Sequence, residues 1–98
     1  MNPNKYRFKA MLWRIPDSLA SYVIFPGDIK EIFGKGRVYV HATVDDIEFD
    51  CCITNRGFKH YKKKPTYVIS INYDRRKQLG KIYGDIVTVT VKERERYV

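Results

Sequence analysis

Apolar and polar residues alternate along several short runs of this chain, the period of a strand with one buried face. The clearest run lies near the C-terminus, where Val87, Val89 and Val91 alternate with Thr88 and Thr90. These residues are β-branched, so pattern and intrinsic preference agree. Near the start, Tyr6, Phe8, Ala10 and Leu12 form the inner set of a first strand, with Lys5, Arg7, Lys9, Met11 and Trp13 outward, until Ile15-Pro16-Asp17-Ser18 breaks it. A second strand, Tyr22 to Phe25, runs into Pro26-Gly27-Asp28, after which Ile29, Ile32 and Phe33 recur at helical spacing and Gly34 and Gly36 stop them. Tyr67 to Ile71 forms a fifth strand and Asp74 to Leu79 a second short helix. Gly80 ends that helix, and Gly84-Asp85 turns the chain into the last strand.

Between Arg37 and Thr54 the pattern fixes a hairpin and its register. Val38, Val40, Ala42 and Val44 share one face, as do Ile47, Phe49, Cys51 and Ile53. With Asp45-Asp46 at the turn, Val44 meets Ile47, and the pairs 42/49, 40/51 and 38/53 follow with apolar opposite apolar. Arg37, Tyr39, His41 and Thr43 then face Thr54, Cys52, Asp50 and Glu48 on the outer side. Asp-Asp is a poorer two-residue turn than Asn-Gly or Asp-Gly.

A short internal repeat aligns Val23–Lys35 with Ile69–Lys81 at an offset of 46, matching Val23 with Ile69, Phe25 with Ile71, Asp28 with Asp74, Phe33 with Leu79 and Gly34 with Gly80. Each copy reads strand, short helix, glycine stop, strand. Neither buries its sheet alone, so the two are expected to interlock. The expected fold is all-β: a small closed six-stranded β-barrel with two short helices and pseudo-two-fold strand-helix-strand repeats. It forms one domain over residues 1–98, with a core from about 6 to 92 and a frayed, solvated tail over 93–98.

Composition agrees with a folded domain, since 44% of the 98 residues are hydrophobic and 31% are charged. No apolar run approaches the roughly 18 residues of a membrane span. Met1-Asn2-Pro3-Asn4-Lys5 lacks the apolar core of a secretory signal. Cys51 and Cys52 are adjacent and diverge on a strand, so they do not pair with each other. A reduced, cytoplasmic setting is expected.

Net charge is +8, and between Arg56 and Lys81 nine basic residues stand against one acid, Asp74, while the rest of the chain carries ten of each sign. The surplus is therefore local in sequence. Arg56, Lys59, His60, Tyr61, Lys62, Lys63, Lys64, Arg75, Arg76 and Lys77 form the candidate nucleic-acid or anion-binding set. Phosphate neutralisation supplies sequence-independent affinity, and the interleaved Phe58, Tyr61, Tyr67 and Tyr73 offer stacking surfaces. Lysine predominates from 56 to 64, which favours loose phosphate contact over bidentate base reading. The bland alternative is a solvated loop, common on Lys-rich surfaces. A third reading keeps the charge but makes the partner a small anionic ligand or an acidic protein, held by Arg75, Arg76 and Lys77.

The hairpin register also sets His41 opposite Asp50 with Cys52 diagonal, the outline of a thiol nucleophile, its base and an orienting acid. No nucleophile elbow or oxyanion-hole signature accompanies them, and a structural ion pair beside an incidental cysteine explains the trio as well. Cys51, Cys52, His41 and His60 lack metal-ligand spacing, and Cys51 reads as a small core residue. Neither cofactor nor enzymatic activity is expected. Trp13, outward by parity, either packs under the Pro16–Ser21 loop or marks an interface, so a homodimer stays open.

The order of these parts resembles the domain-of-unknown-function family 1905. The resemblance runs from about Tyr6 to Lys92, through Phe8-Lys9-Ala10, Tyr22-Val23-Ile24-Phe25-Pro26, Gly34-Lys35-Gly36-Arg37-Val38-Tyr39-Val40, the acidic hairpin turn, and Leu79-Gly80-Lys81 leading to Gly84-Asp85-Ile86-Val87-Thr88-Val89. It implies a six-stranded barrel with two short helices and no established catalytic residues. The chain departs from the family pattern at Asp45-Asp46, where a glycine is usual, in the lysine-rich loop after Ile53, and at Arg75 and Gln78 in the second helix.

Overall fold

The computed structural model describes residues 1–61 and 63–95. Its strands are β1 (Lys5–Met11), β2 (Trp13–Arg14), β3 (Ser21–Ile24), β4 (Arg37–Val44), β5 (Ile47–Asn55), β6 (Tyr67–Ile71) and β7 (Ile86–Glu93), with helices α1 (Ile29–Phe33) and α2 (Tyr73–Leu79). All pairings are antiparallel, in one sheet of order β1-β7-β4-β5-β6-β3-β2. The all-β class holds, but the sheet is a curled half-barrel of seven strands and not a closed barrel of six. The difference arises at Leu12. The first expected strand breaks there into two pieces that bond to opposite edges: Met11 still pairs with Ile86 on β7, whereas Trp13 pairs with Tyr22 on β3. Leu12 bonds instead to the turn before β7, donating its N–H to the Asp85 carbonyl at 2.9 Å and accepting from the Gly84 N–H at 2.8 Å. Its side chain is buried.

The β4–β5 hairpin has the register that its alternation demands. Val44 opposes Ile47, Ala42 Phe49, Val40 Cys51 and Val38 Ile53. Val38, Val40, Ala42 and Val44 are fully buried and meet Val87, Val89 and Val91 of β7 in a single core. The acidic turn holds because Asp45 does a glycine's conformational work, with φ of 50° in the left-handed region where Asp is among the few tolerated side chains. Its carboxylate accepts from the Thr88 N–H at 2.9 Å and pairs with Lys81 Nζ at 2.7 Å, while its own N–H donates to the Thr88 carbonyl at 2.8 Å. The turn is thereby tied to β7.

Val23 and Ile69, matched by the internal repeat, are directly cross-strand partners in the β3–β6 ladder. Both helices end on left-handed glycines, Gly34 at φ 70° and Gly80 at φ 66°. Their starts differ. Asp28 caps α1 by accepting from the Lys30 N–H, whereas α2 is capped by Asn72, which accepts from the Arg75 N–H and stands two residues before Asp74, the match of Asp28 in the repeat. α2 is two residues longer, so the copies fall out of phase at their helix starts.

Glu93 is not the start of a solvated tail. It is the last residue of β7, 3% exposed, and its carboxylate accepts from the Asn2 backbone N–H at 2.8 Å and from the Lys35 ammonium. Residues 96–98 of the expected tail lie outside the described residues.

Candidate nucleic-acid interface

The inward-facing residues of β3 and β6 are Val23, Tyr67, Ile69 and Ile71, so Tyr67 is a core residue and not a stacking surface, yet Tyr22 and Val68, of opposite parity, are buried as well. A strand buried on both faces needs something on its outside. The cover includes the loop between β5 and β6. Phe58 stacks on the Tyr22 ring, centroids 4.4 Å apart and planes 18° from parallel, and His60 Nε2 lies 2.6 Å from the Tyr22 hydroxyl. Burial raises the Tyr22 pKa, so that hydroxyl stays protonated and can donate to the imidazole. The His60 ring also meets Trp13 at 4.6 Å, and the His60 backbone N–H donates to the buried Thr66 hydroxyl at 3.4 Å. Trp13 thus packs on His60 while remaining 37% exposed.

Pinned in this way, the loop forms an open concavity of about 430 Å³, lined in part by Phe58, Lys59, Tyr61, Lys63 and Lys64. Lys59, Tyr61, Lys63 and Lys64 are exposed. Among the described residues no acid pairs with a cation of this loop, whereas Lys35, Lys81 and Arg94 elsewhere all meet carboxylates. Arg56 donates to the Ser70 hydroxyl at 3.0 Å and sits 5.4 Å from the Phe58 ring centre. Lys62, part of the candidate set, lies outside the described residues.

The helical cations have other surroundings. Arg76 is 8% exposed, its guanidinium 4.8 Å from the Tyr83 ring centre and hydrogen-bonded to the carbonyls of Lys81 and Leu19. It braces α2 against its neighbours and is not presented to a ligand. Arg75 lies over Phe49 at 4.2 Å, and Lys77 over Tyr73 at 5.2 Å. Lys81 is held by Asp45 and the Ile86 carbonyl. The run of charge that is continuous in sequence therefore divides into a loop whose described cations meet no acid and a largely engaged helix.

On the outer face of the hairpin His41 does stand opposite Asp50, with Nδ1 2.9 Å from Asp50 Oδ1. Its other nitrogen, however, lies 3.2 Å from Glu48 Oε1, and Cys52 Sγ accepts from Arg37 Nη2 at 3.4 Å. Both imidazole nitrogens are thus taken by carboxylates, and the thiol is bonded to Arg37 instead. Burial and then the neighbouring Cys52 push the Cys51 thiol up to about 12. Among the described residues no group of three or more His, Cys, Asp or Glu is placed to hold a metal ion, and no helix is long and apolar enough to cross a membrane.

Sequence reasoning missed how Trp13 and Tyr22 hold the loop. The signal was available in Tyr22-Val23-Ile24 and Tyr67-Val68-Ile69, which are apolar without alternation. In comparison with known proteins, the family model described as Domain of unknown function (DUF1905) matches residues 8–91, and no match was found among curated proteins.

Proposed function

The chain belongs to the DUF1905 family, whose description assigns no activity, and on its own geometry we propose that it is a non-enzymatic module that binds a polyanion, most specifically nucleic acid, through the loop between β5 and β6. One observation carries this reading: Lys59, Lys63 and Lys64 line one concavity beside Tyr61, and among the described residues no acid is paired to any of them. Lys35, Lys81 and Arg94, by contrast, spend their charge on carboxylates of the chain itself. Release of counterions from a nucleic acid supplies the driving force, and lysine heads give affinity with little sequence preference.

Tyr61, 52% exposed, offers a base a ring to stack on. Arg56, already engaged by the Ser70 hydroxyl and the Phe58 ring, and Arg75 and Lys77 are peripheral contacts. The engagement of both His41 nitrogens by carboxylates and of Cys52 by Arg37 supports the non-enzymatic part, and two free thiols fit a reduced, cytoplasmic setting. The test is anisotropy of labelled oligonucleotides titrated with wild type and with K59E/K63E/K64E. The charge-reversed variant should lose binding and keep its thermal stability; undiminished affinity in it would remove the proposal. Displacement by inorganic phosphate at low concentration would instead indicate a small anionic ligand in the concavity.

A further inference from the structure

The β1 strand carries a second set of cations. Lys5, Arg7 and Lys9 are its exposed outward positions, and the same chain segment continues through Met11 to Trp13, whose ring meets His60 of the basic loop. Outward residues on a strand repeat about every 6.6–6.8 Å, so this segment presents a regular row of charge that ends on the loop. Lys5 also stands directly opposite Lys92 of β7, a like-charge pair that costs stability. Among the described residues no ion pair engages Lys5, Arg7, Lys9 or Lys92. Acids flank the row toward β4: Asp45 and Asp46 share with Arg7 a concavity of about 560 Å³, and Glu48, Glu93 and Glu95 share with Lys5 one of about 680 Å³. Repulsion from these acids would keep a polyanion on the outer side of β1, away from β4 and the hairpin turn.

We infer that Lys5, Arg7 and Lys9, with Trp13 at the loop end, form a track for a single-stranded nucleic acid whose further phosphates reach Lys59, Lys63 and Lys64. This rests on the reading of the loop as a polyanion site and specifies its ligand. Two features select a single strand over a duplex. The row bends at Leu12, where β1 leaves the β7 ladder for the turn, and a stiff duplex does not follow such a bend over so short a distance. Trp13 and Tyr61 are both exposed, at the junction and in the loop, and stack on bases that a duplex keeps within its own stack.

Trp13 is the sole tryptophan, so its emission reports on the junction without a label. The experiment titrates the full chain with a short and a long oligothymidylate and with a duplex of the same length as the long one, over a range of salt. Emission should be quenched by the single strand and much less by the duplex. K5Q/R7Q/K9Q should bind the long oligothymidylate roughly tenfold or more weakly, with a log–log salt slope shallower by about 2, as expected for three lost phosphate contacts on a single strand. It should bind the short one nearly as the wild type does, since the loop alone accommodates it. Unchanged affinity and slope in this variant overturn the track, and if K59E/K63E/K64E still abolishes binding, the loop reading survives without it. Equal binding and quenching by the duplex also overturn it. No binding by the wild type at low salt removes track and loop reading together.

Discussion

Several side chains combine burial, charge and a hydrogen-bond partner in ways that make their protonation visible. Burial pushes the Glu93 carboxyl up, but hydrogen bonds from Lys35 and the Asn2 N–H, with the Lys35 charge, outweigh it and hold the group below its ordinary value of 4.5. A lowered carboxylate contributes stability that is fully present above the ordinary value and is lost as pH falls through the folded one. Glu93→Gln should lower stability by about 1–3 kcal/mol at neutral pH and flatten the acid limb of the unfolding curve; an acid limb identical to wild type would show that the carboxylate does not stabilise the fold.

His41 has the opposite sign. Hydrogen bonds to Asp50 first and Glu48 second raise it above 6.5, so its contribution is present at low pH and is lost as pH rises through the folded pKa. An NMR titration should place the His41 midpoint above the ordinary value in wild type and move it down in the E48Q/D50N double variant. The two thiols should separate as well. At neutral pH an alkylating reagent should modify Cys52 before the strongly raised Cys51, and Cys52→Ala should remove the earlier phase.

At the scale of elements, the hairpin turn is held by a side chain where a glycine would suffice. Asp45→Ala loses the bonds to Thr88 and Lys81 and leaves a β-carbon at φ 50°, so thermal unfolding should reveal a loss of about 1–3 kcal/mol. Asp45→Asn keeps the left-handed tolerance and the Thr88 bond and should recover most of it. Equal losses in the two variants would place the effect in the Lys81 pair alone. The β4–β5 register was legible because two apolar sets of equal parity admit one alignment, and a slip by one residue would expose both. The break at Leu12 was not legible. Leu12 keeps the parity of Tyr6, Phe8 and Ala10, and its backbone partners, Gly84 and Asp85, lie more than seventy residues away in sequence. The loop was legible in charge but not in placement. Nothing local to Phe58 or His60 says that Tyr22 and Trp13 receive them, and Arg76 looks the same in sequence as a free arginine until Tyr83 and the Leu19 carbonyl surround it.

Across the whole molecule, charge is sorted by face more than by segment. Equal numbers of acids and bases outside residues 56–81 suggest neutrality there, but Asp45, Glu93, Glu48 and Asp50 are drawn to Lys81, Lys35, His41 and Arg94, leaving β1 and the loop between β5 and β6 cationic. The curled sheet anchors that loop through Tyr22, on which Phe58 stacks and which His60 meets at its hydroxyl. Their field should raise association rates at low salt and be screened at high salt. The most direct measurement is the affinity of the wild-type domain for a labelled single-stranded oligonucleotide as a function of salt concentration, paired with K59E/K63E/K64E. The predicted result is binding that weakens linearly in log–log form with a steep slope, and that disappears in the charge-reversed variant at every salt concentration. An absence of binding at low salt, or the same slope in both proteins, would contradict it.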